Sequence, residues 1–317
     1  MNNDVPSNSN IESQTLLNQI VLDYMKEKKS RRRWRWVSRL IFLLLFMFIA
    51  YQFINLKNDA LIKGVKPHVG LVDLNGEISD TKINADDFAK GVAAAYKNTG
   101  LKGLIVRINS PGGSPVQAEY MFNTLKYFKK KFPGVKIYAV CSDMCASAAY
   151  YVAVGADEIY ASPASMVGSI GVLFNGFGFV DLINKVGVTR RLQTSGVNKG
   201  FLDPFSPVTE FQTQKLQTML DIIHQQFIAR VKDGRGSRLH IDDETFSGLF
   251  WTGEQALEKG LIDGFSSSGQ LAREQFKTDS IIDYTVKPNL FDRVSKNLGT
   301  AMAEQLSASL GLKKGLR

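Results

Sequence analysis

Ser147 stands in the run DMCASAAYYVA, and Lys199 follows 52 residues later in TSGVNKGFLDPFSP. A serine hydroxyl is a poor nucleophile at neutral pH and attacks a carbonyl usefully only beside a base and a site that stabilises an oxyanion. A lysine amine becomes such a base when burial away from counter-charges lowers its pKa until part of it is neutral near pH 7. Each residue also has a plainer reading: serine is a favoured helix N-cap, and a lysine on a glycine-containing loop is ordinarily solvated. Two small-residue clusters favour the chemical one. NSPGGS (109–114) follows an apolar run, and paired glycines let the backbone approach a substrate and turn its N–H groups outward, which makes it a candidate oxyanion loop. MVGSIG (166–171) sets Ser169 among small residues.

Other chemistries find less support. The histidines are His68, His224 and His240, and none lies in a small-residue loop suited to a Ser-His-Asp triad, so Ser-Lys is the stronger reading. NGFGF (175–179) lacks the third glycine and the preceding strand of a dinucleotide fingerprint, KDGRGSR (232–238) reads as a turn, and there is no Walker motif. No cofactor is expected, and no metal either, because Cys141 and Cys145 have no second pair or histidine nearby to complete four ligands. A disulfide across C-x-x-x-C depends on local backbone geometry; the preferred reading is two small residues packed beneath the nucleophile.

The elements that must position these residues alternate short β-rich runs with helical patterns from Pro67 onward, the mark of an α/β domain with a mostly parallel sheet. HVGLVDLNGEI (68–78), KGLIVRIN (102–109) and VKIYAVC (135–141) read as strands, with helices over 86–98 and from Val116 to just before Pro133. A short helix follows Ser147 to Gly155, then DEIYA as a strand, a helix at 180–186, TRRLQT (189–194) as a strand, and the longest helix from 210 to about 231. Phe291, Val294, Leu298, Met302, Leu306 and Leu310 recur at helical intervals, either packing on their own domain or docking on a partner or membrane surface.

The charge balance of +9 taken alone invites a nucleic-acid partner, but its distribution argues otherwise. Eight Lys or Arg lie between Lys26 and Arg39, directly before the long apolar run LIFLLLFMFIAYQFI. Residues 36–56, at about 1.5 Å each, just span a bilayer core of roughly 30 Å. Eight basic residues before the apolar run, against Lys57, Lys63 and Lys66 after it, place the N-terminus in the cytoplasm and the rest outside. The leader is long for a cleaved signal peptide and no clear small-x-small site follows it, so an uncleaved anchor is expected. No base-stacking module accompanies the basic run, and no nucleic-acid partner is expected.

Taken together, NSPGGS, DMCASAAYY, SMVGSIGV, SGVNKGFLDPFSP and WTGEQALEKGLIDG resemble the SppA-type signal peptide peptidase family, membrane-anchored Ser-Lys proteases of the crotonase and Clp protease fold. The resemblance covers about residues 66–275. It implies Ser147 as nucleophile, Lys199 as general base, Ser169 as the residue orienting the lysine amine, and the N–H groups of Gly113 and Ala148 as the oxyanion hole. Ala148 and Ala149 stand where members commonly carry glycines, and Leu249 where they carry an arginine. Single-copy members assemble as rings with active sites shared between protomers, which implies a homo-oligomeric ring here, an octamer being one candidate. The expected organisation is a cytoplasmic basic tail (1–35), a transmembrane anchor (36–56), a periplasmic peptidase domain (57–280) and a C-terminal amphipathic helix with a basic tail (281–317). The expected activity is cleavage of remnant signal peptides at the inner membrane, with Met166, Val167, Val172 and Leu173 as candidate pocket linings. The alternatives are a related protease acting on other membrane or exported proteins, and a catalytically silent scaffold or acyl-CoA binder on the same fold.

Overall fold

A computed structural model of the chain describes residue 34, residues 36–52 and residues 66–287. The chain divides into two compact units, Met1–Gly64 and Val65–Arg317. In the first, residues 36–52 are helical, with Trp36, Phe42 and Phe46 exposed. Seventeen residues extend only about 26 Å, and no helix among the described residues is long and apolar enough to cross a membrane. The end of the expected anchor, 53–56, lies outside the described residues, as does the patterned C-terminal segment from 288 onward.

The second unit is built on one eight-stranded sheet. Strands β1 (His68–Asn75), β2 (Leu101–Ser110) and β3 (Lys136–Ala146) are parallel neighbours, joined through helices α1 (Ala85–Tyr96) and α2 (Pro115–Lys131). Leu104, Ile105, Val106 and Ile108 of β2 are fully buried, as a central parallel strand covered on both faces requires. Val106 and Ile108 join the main core beneath α1 and α2, whereas Ile105 joins a smaller cluster with Val69, Leu71, Tyr138 and Leu271 on the other face.

Strand β3 is the spine of the sheet. Its first half pairs with β4 (Glu158–Ala161), and its second half pairs with β5 (Met166–Gly168). Between the halves the register with β2 slips, so that Cys141 faces Ile108 and Cys145 faces Ser110: four residues on β3 advance while two do on β2. This bulge keeps the strand going to Ala146, five residues beyond the expected end. Both cysteines are free and buried, and burial pushes the Cys145 thiol pKa up, in keeping with a packing role.

Short α3 (Ala148–Ala153) follows β3, and α4 (Val180–Lys185) and the long α5 (Glu210–Arg235) come later. Helix α5 opens with a capping box between Thr209 and Gln212. Strand β6 (Phe250–Thr252) adds antiparallel to β5, α6 (Gly253–Glu258) follows, β7 (Gly264–Phe265) pairs with β4, and α7 (Ser268–Glu274) leads to β8 (Ile281–Asp283), which pairs with β1. The sheet thus takes up the first residues of the segment expected as the C-terminal helix. The expected strand over 189–194 is absent: these residues are exposed and irregular, without a neighbouring strand, and Arg190 pairs instead with Asp203.

Candidate functional site

The turn between β3 and α3 holds Ser147 at φ 54°, ψ −126°. Positive φ in a non-glycine residue costs on the order of 1–3 kcal/mol, and the surroundings compensate: the Ser147 N–H donates to Gly168 O at 2.8 Å and its carbonyl accepts from Tyr151 N–H at 3.0 Å. Its hydroxyl makes no capping hydrogen bond to the helix it precedes. The side chain therefore does not cap the helix, and the residue is half-buried.

NSPGGS lies against this turn. Asn109 Nδ2 donates to Asp143 Oδ2 at 3.1 Å, and Asn109 Oδ1 accepts from Met144 N–H at 3.2 Å, fastening the loop to the β3 bulge. A Cβ on Gly112 would stand 2.8 Å from both Ala146 O and Ser147 Cβ, so only glycine allows this approach. Gly113, at φ 139°, flanks Ile78: Ile78 N–H donates to Gly112 O and Ser114 N–H to Ile78 O, which leaves the Gly113 N–H without a backbone acceptor among the described hydrogen bonds. Ala148, the first residue of α3, likewise has an N–H with no intrahelical acceptor. Ser114 caps α2, and Pro115 takes its first position, where a missing N–H costs nothing.

These groups face a cleft of about 910 Å³ lined by Gly113, Ser147, Ala148, Ser169, Val172 and Leu173 among others. Opposite the serine, α5 presents Leu216, Met219, Leu220, Ile223 and Phe227, with Phe174 and Phe250 closing the wall. That wall was missed in the sequence, although the 216, 219/220, 223, 227 spacing is a legible helical stripe. Ser169, also at positive φ (51°), donates its N–H to Leu249 O at 2.7 Å. Leu249, at the position flagged as a departure, thus serves this loop through its backbone.

Two expected pocket residues do not reach the cleft. Adjacent strand residues point to opposite faces: Val167 enters the core, and Met166 lines a separate cleft of about 550 Å³ with Arg107, Ser142, Asp143 and Ser165. Lys199 does not line this cleft either. It is exposed on the irregular stretch between α4 and α5, its N–H bonded to Gly196 O at 3.1 Å, and no described hydrogen bond joins it to Ser147 or Ser169. The histidines serve elsewhere: His224 Nε2 bonds Ile170 O at 3.0 Å, His68 bonds Lys66 O and Tyr284, and His240 bonds Glu258 O.

A family model described as peptidase family S49 matches residues 129–280, which take in β3, the Ser147 turn and every later element through α7. A protein of Brucella abortus (strain 2308) named as a Na(+)/H(+) antiporter, NhaA, is 35% identical over 223 residues, 68% of this chain but 30% of that protein. The chain therefore spans less than a third of the length of this relative. A putative signal peptide peptidase SppA of Enterococcus faecium is 28% identical over 247 residues, 74% of this chain and 71% of that one. Among solved structures, a membrane-bound stomatin-specific protease is similar with a TM-score of 0.47 and 16% identity, over 71% of this chain and 99% of the other.

Proposed function

We propose that the chain belongs to peptidase family S49, of the SppA type, and that it is a membrane-anchored serine endopeptidase of the crotonase and Clp protease fold, with Ser147 as its nucleophile. The observation that carries the reading is the Ser147 turn: an uncapped serine in a strained conformation, flanked by the N–H groups of Gly113 and Ala148, at the edge of an apolar cleft.

In the proposed mechanism the neutral amine of Lys199, oriented by Ser169, takes the Ser147 proton as Oγ attacks the scissile carbonyl. The Gly113 and Ala148 N–H groups stabilise the oxyanion, the lysine returns the proton to the leaving amine, and water then resolves the acyl-enzyme. Within one chain Lys199 is exposed and away from the cleft, so the base is assigned to Lys199 of a neighbouring protomer in a homo-oligomeric ring. The exposure of large apolar side chains along the Lys199 segment, Leu173 at 80%, Phe177 at 75% and Val197 at 101%, supports such an assembly.

The apolar α5 wall suits extended apolar peptides, and remnant signal peptides are the proposed substrates. The proposed setting is the inner membrane, with an anchor over 36–56, the N-terminus in the cytoplasm and the peptidase domain in the periplasm, as the basic run before the apolar segment implies. The test is hydrolysis of a leucine-rich signal-peptide sequence by the purified full-length chain, together with covalent labelling by a fluorophosphonate. Ser147→Ala abolishes both, and Lys199→Ala lowers hydrolysis by at least about a thousandfold. Full hydrolysis by either variant sinks the dyad, and a wild-type chain that neither labels nor cleaves sinks the peptidase reading in favour of a silent scaffold.

A further inference from the structure

One carboxylate joins the three helices that carry the parts of the site. Helix α2 begins at Pro115, directly after the Gly113 loop; α3 begins at Ala148, directly after the nucleophile; α5 carries the apolar wall. Glu119, on the second turn of α2, accepts the Tyr151 hydroxyl from α3 on Oε2. From α5, Arg230 grips both carboxylate oxygens, Nη2 to Oε1 at 2.7 Å and Nε to Oε2 at 3.1 Å. Asn123 Nδ2 adds a fourth bond to Oε1 at 3.0 Å. The arrangement is packed as well as bonded. The Arg230 guanidinium lies 5.4 Å from the Phe122 ring centroid, and the Tyr151 ring meets Phe122 edge-on at 5.9 Å and Phe227 at 4.9 Å.

Tyr151 and Phe227 themselves line the cleft, whereas Glu119 and Arg230 do not. The carboxylate thus acts on the site from behind, one helical turn beyond Ser147 on α3 and one turn beyond Phe227 on α5. A bidentate Arg–carboxylate fork fixes orientation as well as distance, which a lysine point charge does not. Resting on the peptidase reading above, we propose that Glu119 is a positioning residue for that reaction: through Arg230 and Tyr151 it sets the separation and register between the nucleophile helix α3 and the apolar wall of α5, and so the fit of an extended peptide in the cleft.

Loosening the clamp displaces the wall while leaving the Ser147 turn, whose own bonds run to Gly168 and Tyr151 N–H, in place. Long peptides, which touch both walls, lose affinity; a small reagent, which meets only the serine and the oxyanion N–H groups, does not. Fluorophosphonate labelling therefore reads the serine alone, and binding of a fluorescein-tagged leucine-rich peptide in a Ser147→Ala background reads the cleft without any turnover. Glu119→Gln keeps the shape and the acceptor for Tyr151 while removing the charge, and Arg230→Lys keeps the charge while removing the fork.

Each variant is expected to weaken peptide binding about tenfold, the scale of one charge-assisted hydrogen bond, and to raise KM in proportion. Labelling of otherwise wild-type Ser147 stays unchanged, and the double variant is no worse than the weaker single one because both break the same link. Unaltered peptide affinity in both variants, or labelling that falls as far as binding does, overturns the proposal. Absence of Ser147 labelling in the wild-type chain strikes at the peptidase reading instead, and the binding comparison still decides the clamp.

Discussion

At the scale of the residue, the site depends on how closely backbone approaches backbone at Gly112 and Ser147. The glycine leaves no room for a side chain: an added methyl would meet Ala146 O, Ser147 Cβ and Ala148 N, all within 2.9 Å, at a φ of 104° that alanine tolerates poorly. Gly112→Ala must therefore push the Ser147 turn off the Gly112–Gly113 loop. Labelling of Ser147 is expected to fall by at least about a hundredfold, the cost of losing one oxyanion donor, and the melting temperature to drop with it; a variant that labels at the wild-type rate would show that the two loops are not mechanically joined. Gly113→Ala faces a harder clash, 2.1 Å from Ile78 O, and is expected to impair folding as well as labelling. The close approach of these two loops was legible from the small residues around Ser147, because such residues suit a place where backbone must come close to backbone. The conformation of Ser147 was not, since a positive φ in serine is imposed by the bonds to Gly168 and Tyr151, which sequence does not display.

Elements are held in register by buried charge as much as by apolar packing. Arg235, at the end of α5 and 1% exposed, donates from Nη1 and Nη2 to Asp263 at 2.7 and 3.0 Å and from Nε to Gly260 O at 2.8 Å, while Asp263 also accepts the Ile159 N–H of β4 at 2.7 Å. Arg238 Nη1 also donates to Asp263 Oδ1 at 3.0 Å, so it is the loss of the carboxylate that leaves Arg235 buried without an ionic partner, and Asp263→Ala is expected to cost about 3–5 kcal/mol in urea unfolding. Burial by itself would raise the Asp263 pKa; Arg235 and the Ile159 N–H outweigh it and hold the carboxyl below its ordinary value. A carboxylate depressed in the folded state contributes stability above its unfolded pKa of about 3.9 and loses it as pH falls through the folded value. Wild-type stability should therefore fall on acidification below about pH 4, and Asp263→Asn should start lower at pH 7 with a shallower acid slope; equal slopes would remove Asp263 from the account. The β1–α1–β2–α2–β3 order was readable because those strands are long and buried on both faces. Strands β6, β7 and β8, of two or three residues each, were not, because their extended state comes from pairing with β5, β4 and β1. TRRLQT was misread for the converse reason: it has strand-like composition but no edge to join.

At the scale of the whole molecule, the proposed dyad ties the exposed position of Lys199 to the proposed ring. Lys199 lies outside the cleft that Ser147 lines, and the segment that bears it exposes Leu173, Phe177, Leu182 and Val197. If neighbouring protomers cover that segment and insert Lys199 beside Ser147 and Ser169, two inactive variants can repair each other. Ser147→Ala chains still carry the lysine, and Lys199→Ala chains still carry the serine. Co-expressed in equal amounts, they form mixed rings in which a site is complete when a Lys199→Ala protomer receives its lysine from a Ser147→Ala neighbour. Random assembly meets both conditions at roughly a quarter of positions, so about that fraction of wild-type hydrolysis is expected from the mixture and none from either variant alone. A tandem affinity tag, one on each variant, isolates the mixed rings and removes the objection that the chains never met. Mixed rings that remain inactive would place serine and base on one chain, which would require the Lys199 segment to refold onto its own cleft when substrate arrives.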